Sequence, residues 1–169
     1  MAHIAKYKAS AVGKLCAHYN RWQGIDNPNV SRENIDKSRT HLNYTLGVYE
    51  KDGKRFIGKV RGSASWATVK GRIDAVNPRA KAEGKRATRK DAVVMADMVV
   101  TLPPNVPPED AYKFFWNSYQ YIADRVGRGN LMGGYVHMDE TTPHMHVPFT
   151  PILDGRFNYK KMCDRKFYQ

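Results

Sequence analysis

Hydrophobic and polar residues alternate weakly from Met1 to Tyr7, the two-residue period of a strand. The spacing then turns helical from about Ser10 to Trp22, where Val12, Leu15, Cys16 and Tyr19 share one stripe. Between Gly24 and Asp36 the pattern breaks. It resumes as strand over Ser38 to Tyr49, where His41, Asn43 and Thr45 alternate with Leu42, Tyr44 and Leu46, so one of the two faces must point to a site or to solvent. From Asp91 to Leu102 a run rich in β-branched and apolar residues, stopped by Pro103-Pro104, predicts a buried central strand. The clearest helix runs from Pro107 to Arg125, with Ala111, Phe114, Phe115, Tyr119 and Ile122 on one stripe. Two last strands, Asn130 to Met138 and Pro143 to Ile152, flank the short turn from Asp139 to Thr142. No repeat, low-complexity tract or long linker interrupts the 169 residues, so the expectation is one α+β domain.

Charge narrows the class of partner. The chain carries 28 Lys+Arg against 16 Asp+Glu, a formal net charge of +12, with 41% hydrophobic residues, too many for a disordered polycation. Residues 51–90 hold thirteen of the cations, among them Lys54, Arg55, Lys59, Arg61, Arg86, Arg89 and Lys90, against only Asp52, Asp74 and Glu83. With few aromatics, that block suits phosphate contacts more than base stacking, and nucleic acid is the first partner it suggests. No apolar stretch is long enough to span a membrane, and the start MAHIAKYKAS lacks an apolar signal core, so a soluble cytoplasmic protein is expected. Cys16 and Cys163 form no CxxC pair, which leaves a disulfide framework and a cysteine zinc site unsupported.

Three of the six histidines, His137, His144 and His146, fall within the string VHMDETTPHMH. Residues two apart on a strand share a face, and a tight turn brings His137 alongside, so three imidazoles can reach one divalent cation. Three neutral ligands leave a position open for a substrate oxygen, which beside a basic surface means a phosphate oxygen. Imidazole alone suits Zn, Cu, Fe or Ni, and phosphate as co-ligand brings in Mn or Mg. A nucleophile is still required. His18, three residues before Arg21 on the first helix, is one candidate if a carboxylate such as Glu140 orients it, and Tyr19 and Tyr44 are others.

Four segments in order, KASAVGKLCAHYNR, SRTHLNYTL, RATRKDAV and VHMDETTPHMHVPFTPILDGR, resemble the MobV-type (Mob/Pre) plasmid mobilisation relaxases among the HUH endonucleases. The last is the most specific. In the first, family members commonly show His-Asn-x-Arg where this chain reads His18-Tyr19-Asn20-Arg21. The resemblance implies a five-stranded antiparallel sheet flanked by helices, forming the N-terminal relaxase domain of a longer protein. It implies metal-dependent nicking of one strand at a plasmid transfer origin by transesterification, with a covalent 5′-phosphate adduct that is later rejoined. His18 then matches the nucleophile, Arg21 its partner, Glu140 the orienting acid, and His137, His144 and His146 the ligands of Mn2+ or Mg2+. Tyr44, Arg86 and Arg89 match segments near DNA, and with Tyr19, Asn43, Arg61 and Lys90 they make up the expected DNA contacts. The implied partners are single-stranded or extruded origin DNA and the conjugation machinery, with this chain a monomer. Two alternatives stand beside this reading. One is a rolling-circle replication initiator, with a tyrosine nucleophile on a helix after the hairpin; the other is a non-catalytic DNA-binding module.

Overall fold

The computed structural model describes residues 2–20, 34–84 and 88–164. Arg21 and Arg86, and most of the segment from Gly24 to Asp36, lie outside the described residues. The chain runs β1 (Ala2–Tyr7), α1 (Ala9–Tyr19), a 3-10 segment (Lys37–Leu42), β2 (Tyr44–Lys51), β3 (Lys54–Val60), α2 (Trp66–Ala82), β4 (Met95–Thr101), α3 (Ala111–Val126), β5 (Gly134–His137), β6 (His144–Phe149), the small pair β7 (Ile152–Leu153) and β8 (Arg156–Phe157), and α4 (Tyr159–Met162). The main sheet has the order β1-β4-β6-β5-β2-β3, and every neighbouring pair is antiparallel.

The sheet therefore has six strands, one more than expected. Asp52 and Gly53 both take positive φ, 52° and 69°, the backbone that a two-residue hairpin needs to match strand twist. They turn β2 into β3, whose charged sequence KRFIGKV reads as basic surface unless that turn is recognised. A second correction concerns Ser38 to Tyr49, where the strand begins only at Tyr44. Asp36 caps the preceding segment by accepting hydrogen bonds from the Ser38 backbone N–H at 3.0 Å and hydroxyl at 2.6 Å, which competes with extended structure. Helix α2 also went unread, because it is weakly amphipathic and carries Pro78 in its interior.

The two-residue period of the strands divides the core. Met145, Val147 and Phe149 of β6, Val136 of β5 and Leu46 of β2 face α3, where Phe115, Tyr119, Ile122 and Val126 cover them. The opposite face packs Met95 and Tyr135 against Val12, Cys16 and Tyr19 of α1 and Val69 of α2. His144 and His146 alternate with Met145 and Val147, so they project from the α1 side.

Close packing leaves no room for a side chain at Gly134, where a Cβ would stand 2.6 Å from Cδ2 of Tyr119 and 3.1 Å from Sδ of Met145. Gly134→Ala is expected to destabilise the fold by about 1–3 kcal/mol, because a ring and a thioether must both shift. Urea unfolding measures this, and an unchanged midpoint would show that the α3 interface yields freely.

Candidate active site

Helix α1 brings His18 to the hairpin. At the helix end Asn20 clamps the loop before α2, its Nδ2 donating to the Ala64 carbonyl at 2.6 Å and its Oδ1 accepting from the Ala64 N–H at 3.0 Å. On the sheet, His137 lies directly opposite His144, and Tyr135 opposite His146. Ligand-capable atoms of His18, His137, His144 and His146 all lie within 4.8 Å of one another. His18 Nε2 is 3.3 Å from His146 Nε2, and the His18 ring meets those of His137 and His146 edge-on at 5.3 and 5.1 Å. The three hairpin histidines come together as expected, and His18 joins them.

Hydrogen bonds on the far sides of the rings aim them. His146 Nδ1 donates to Asp97 Oδ2 at 2.7 Å, which leaves Nε2 as the lone pair facing the cluster. His144 Nδ1 donates to the Thr142 carbonyl at 3.0 Å, with the same consequence. His137 is fully buried, its Nε2 3.4 Å from the Tyr19 carbonyl. Four imidazoles packed this closely match the donor chemistry of a divalent metal.

Asp97 is the residue that pattern reading missed. It sits in β4 within the apolar string MADMVVT, and its Oδ2 accepts from both His146 and the Tyr19 hydroxyl, the latter at 2.9 Å. The signal was there: a lone carboxylate in a strand expected to be fully buried needs a partner.

That contact corrects the expectations for Tyr19. Its side chain is buried, its ring stacks on Tyr135 with centroids 5.5 Å apart, and burial beside Asp97 pushes its hydroxyl far above the ordinary range. It supports His146 from within the core, with no surface exposed to a phosphate or to DNA. Tyr44 is corrected too, as a nucleophile: it lies on the α3 face, away from the histidines, with Lys59 Nζ 4.7 Å from its ring centroid. Burial pushes its hydroxyl up as well, and that oxygen has no hydrogen-bond partner among the described residues. Asn43 is buried and spends its Oδ1 on the Met138 backbone N–H at 2.7 Å, so it anchors the turn. Asp139, also buried, accepts from the Thr40 hydroxyl at 3.1 Å and, through its carbonyl, from Asp36 N–H at 2.7 Å. The 3-10 segment thereby braces the turn that carries the ligands.

Glu140 stands beside the cluster, Oε2 3.8 Å from His144 Nδ1. Arg61, Arg89 and Lys90 are all exposed, and Arg89 grips Asp91 with Nε at 3.1 Å and Nη2 at 3.3 Å.

The family profile described as Mob_Pre, plasmid recombination enzyme, matches residues 1–169. The chain belongs to this family. A plasmid recombination enzyme of Lactiplantibacillus plantarum is 32% identical over the whole chain, and one of a Bacillus species is 33% identical over 78% of it. The chain spans 43% of the first relative's length and 29% of the second's. Among solved structures it is similar to the MobM relaxase domain (MOBV) bound to plasmid pMV158 oriT DNA, Mn-bound, with a TM-score of 0.74 and 28% identity, covering 99% of this chain and 78% of that one. A second Mn-bound MobM complex with the same origin DNA gives a TM-score of 0.68 at 31% identity, covering 98% of this chain and 77% of that one. The α+β antiparallel fold expected from the sequence is therefore shared with the relaxase domain; those structures are Mn-bound, and the histidine cluster here could hold a metal ion.

Asp97→Asn should lower the affinity for Mn2+ about 10–100-fold, since an amide holds the His146 tautomer less firmly than a carboxylate. Isothermal titration with Mn2+ checks it. Affinity equal to wild type would mean that Asp97 supports packing alone.

Proposed function

We propose that this chain nicks and rejoins one strand of a plasmid transfer origin as a metal-dependent relaxase, with His18 as the nucleophile. The observation that carries the reading is the placement of His18 against His137, His144 and His146, the last two aimed by hydrogen bonds, in a strongly basic chain. His137, His144 and His146 would hold the divalent metal, Mn2+ or Mg2+, which when bound polarises a non-bridging phosphate oxygen and stabilises developing charge.

A neutral His18 nitrogen attacks phosphorus, an N–P bond forms, and the P–O3′ bond breaks. The departing 3′ oxygen takes a proton from solvent. The 5′ phosphate stays on His18, and attack by a 3′ hydroxyl reverses the step, reseals the strand and returns the proton. Glu140, at the edge of the cluster, holds the attacking tautomer, and Arg21 supplies positive charge to the phosphate. Arg61, Arg86, Arg89 and Lys90 bind the backbone of single-stranded or extruded origin DNA, and Tyr44 belongs to the segment running beside it. In the cell the longer protein would deliver the strand to the conjugation machinery from the cytoplasm, with this domain acting as a monomer. No helix among the described residues is long and apolar enough to cross a membrane.

One observation favours a second reading. His18 lies close enough to the other three to serve as a fourth ligand, which would close the site and leave a DNA-binding module without chemistry. The rolling-circle alternative gains less, because Tyr159 begins the four-residue α4 and packs on the α3-face core, away from the histidines.

Mass spectrometry of the chain with Mn2+ and origin-strand oligonucleotides should find a covalent adduct on His18, absent in His18→Ala and in His144→Ala. His18→Ala should keep its Mn2+ affinity within about threefold, whereas loss of the fourth ligand of a closed site costs tenfold or more. No adduct, together with a large loss of Mn2+ affinity, would select the binding module. Replacing Arg61 and Arg89 by Ala should flatten the salt dependence of DNA binding by roughly one slope unit per lost phosphate contact. An identical slope would remove both from the interface.

A further inference from the structure

The basic segment 51–61 is not merely charged. Tyr49 on β2 and Phe56 on β3 are directly opposed in register, and their rings stack with centroids 5.8 Å apart and planes 27° apart. Each is 42% exposed, unusual for two adjacent large aromatics at the edge of a sheet. Gly58 makes room for the arrangement, since a Cβ there would stand 3.0 Å from Cε1 of Tyr49. Lys51 and Lys54, directly opposed in register, continue the face that carries the pair, while Arg55 opposes Glu50 on the other face and Asp52 lies in the turn.

Strand parity places the pair relative to the histidines. Tyr49 shares a face of β2 with Thr45 and Gly47, Thr45 is opposite Tyr135, and Tyr135 is opposite His146. The aromatic pair and the histidine cluster therefore lie on one face of the sheet, roughly 15–20 Å apart by strand rise and spacing. A cleft of about 500 Å3 runs from Tyr49 and Arg55 past Gly62 and Arg128 to Gly133 and Tyr135, and so leads from the aromatic pair to the residue opposite His146. Glycines in its walls let a backbone or a base approach closely.

We propose that Tyr49 and Phe56, with the cleft beside them, form a stacking site for unpaired bases of a DNA strand whose phosphate is held at the histidines. The inference rests on the nucleic-acid reading above and adds a residue-level subsite to it. Exposed rings offer π-faces that any base can use, and the surrounding cations hold the phosphates between bases. Charge and aromatic surface together fit a single strand better than a duplex, whose bases are already stacked on one another.

The test compares binding of an oligothymidylate and of an abasic oligonucleotide of the same length, at two salt concentrations. Tyr49→Ala combined with Phe56→Ala should weaken oligothymidylate binding about tenfold or more and leave abasic binding unchanged. The pair Tyr49→Phe with Phe56→Tyr, which keeps both rings, should bind like wild type and controls for folding. Equal losses on both oligonucleotides, or no loss on either, overturns the stacking site. Adduct formation on His18 is scored separately in the same variant, so the stacking site can fail while the relaxase reading stands. If the wild-type chain binds neither oligonucleotide, the stacking site falls, and adduct formation with the origin strand still decides the relaxase reading.

Discussion

One buried oxygen holds the site together. Asp97 Oδ2 accepts hydrogen bonds from the Tyr19 hydroxyl on α1 and from His146 on β6, and so ties three elements remote in sequence to one point. A carboxylate taken out of water is costly unless charge-assisted hydrogen bonds replace its hydration. Both donors sit in the protein interior, so neither can leave without stranding a charge. That penalty keeps α1 docked with His18 facing the hairpin, and it sets which nitrogen of His146 faces a metal. Support for the fold and aim for the chemistry come from the same atom.

The hairpin works through its period. On β6, residues facing α3 are apolar and residues facing α1 are histidines, so one short strand contributes both to a packed core and to a polar site. A shift of one residue in its pairing with β4 or β5 would bury the imidazoles and expose Met145 and Val147. Register is held at the turn, where Asn43 Oδ1 accepts from the Met138 N–H and the Thr40 hydroxyl donates to Asp139. The 3-10 segment is thus part of the site even though none of its side chains is a metal ligand.

How much of this could be read from the sequence follows from which interactions are local. The hairpin histidines were legible because two-residue spacing and a short turn are local facts, and α3 was legible because its apolar stripe is continuous. Tyr19 was misjudged because its neighbour in the sequence, His18, faces the cluster while its own partner, Asp97, is 78 residues away. Asp97 itself looked like part of an apolar run until α1 was docked on it. β3 was hidden for a different reason. Its cations suggest surface, and only the Asp52-Gly53 turn betrays the strand; α2 is obscured by Pro78 and a weak stripe.

On the proposed reading, the sheet also separates two kinds of interaction with a nucleic acid. At its centre, β5 and β6 present clustered imidazoles, the two on β6 with tautomers set by hydrogen bonds, where small displacements matter because the proposed reaction needs a lone pair aimed at one atom. Toward the β3 edge the side chains are long, exposed cations and half-exposed rings, where attraction is summed over many weak contacts and tolerates motion. Rigid hydrogen-bonded support is spent on the first region and is nearly absent from the second. The proposed cleavage and rejoining calls for both, because a severed strand bound only at its reacting phosphate would drift from the group that has to reseal it.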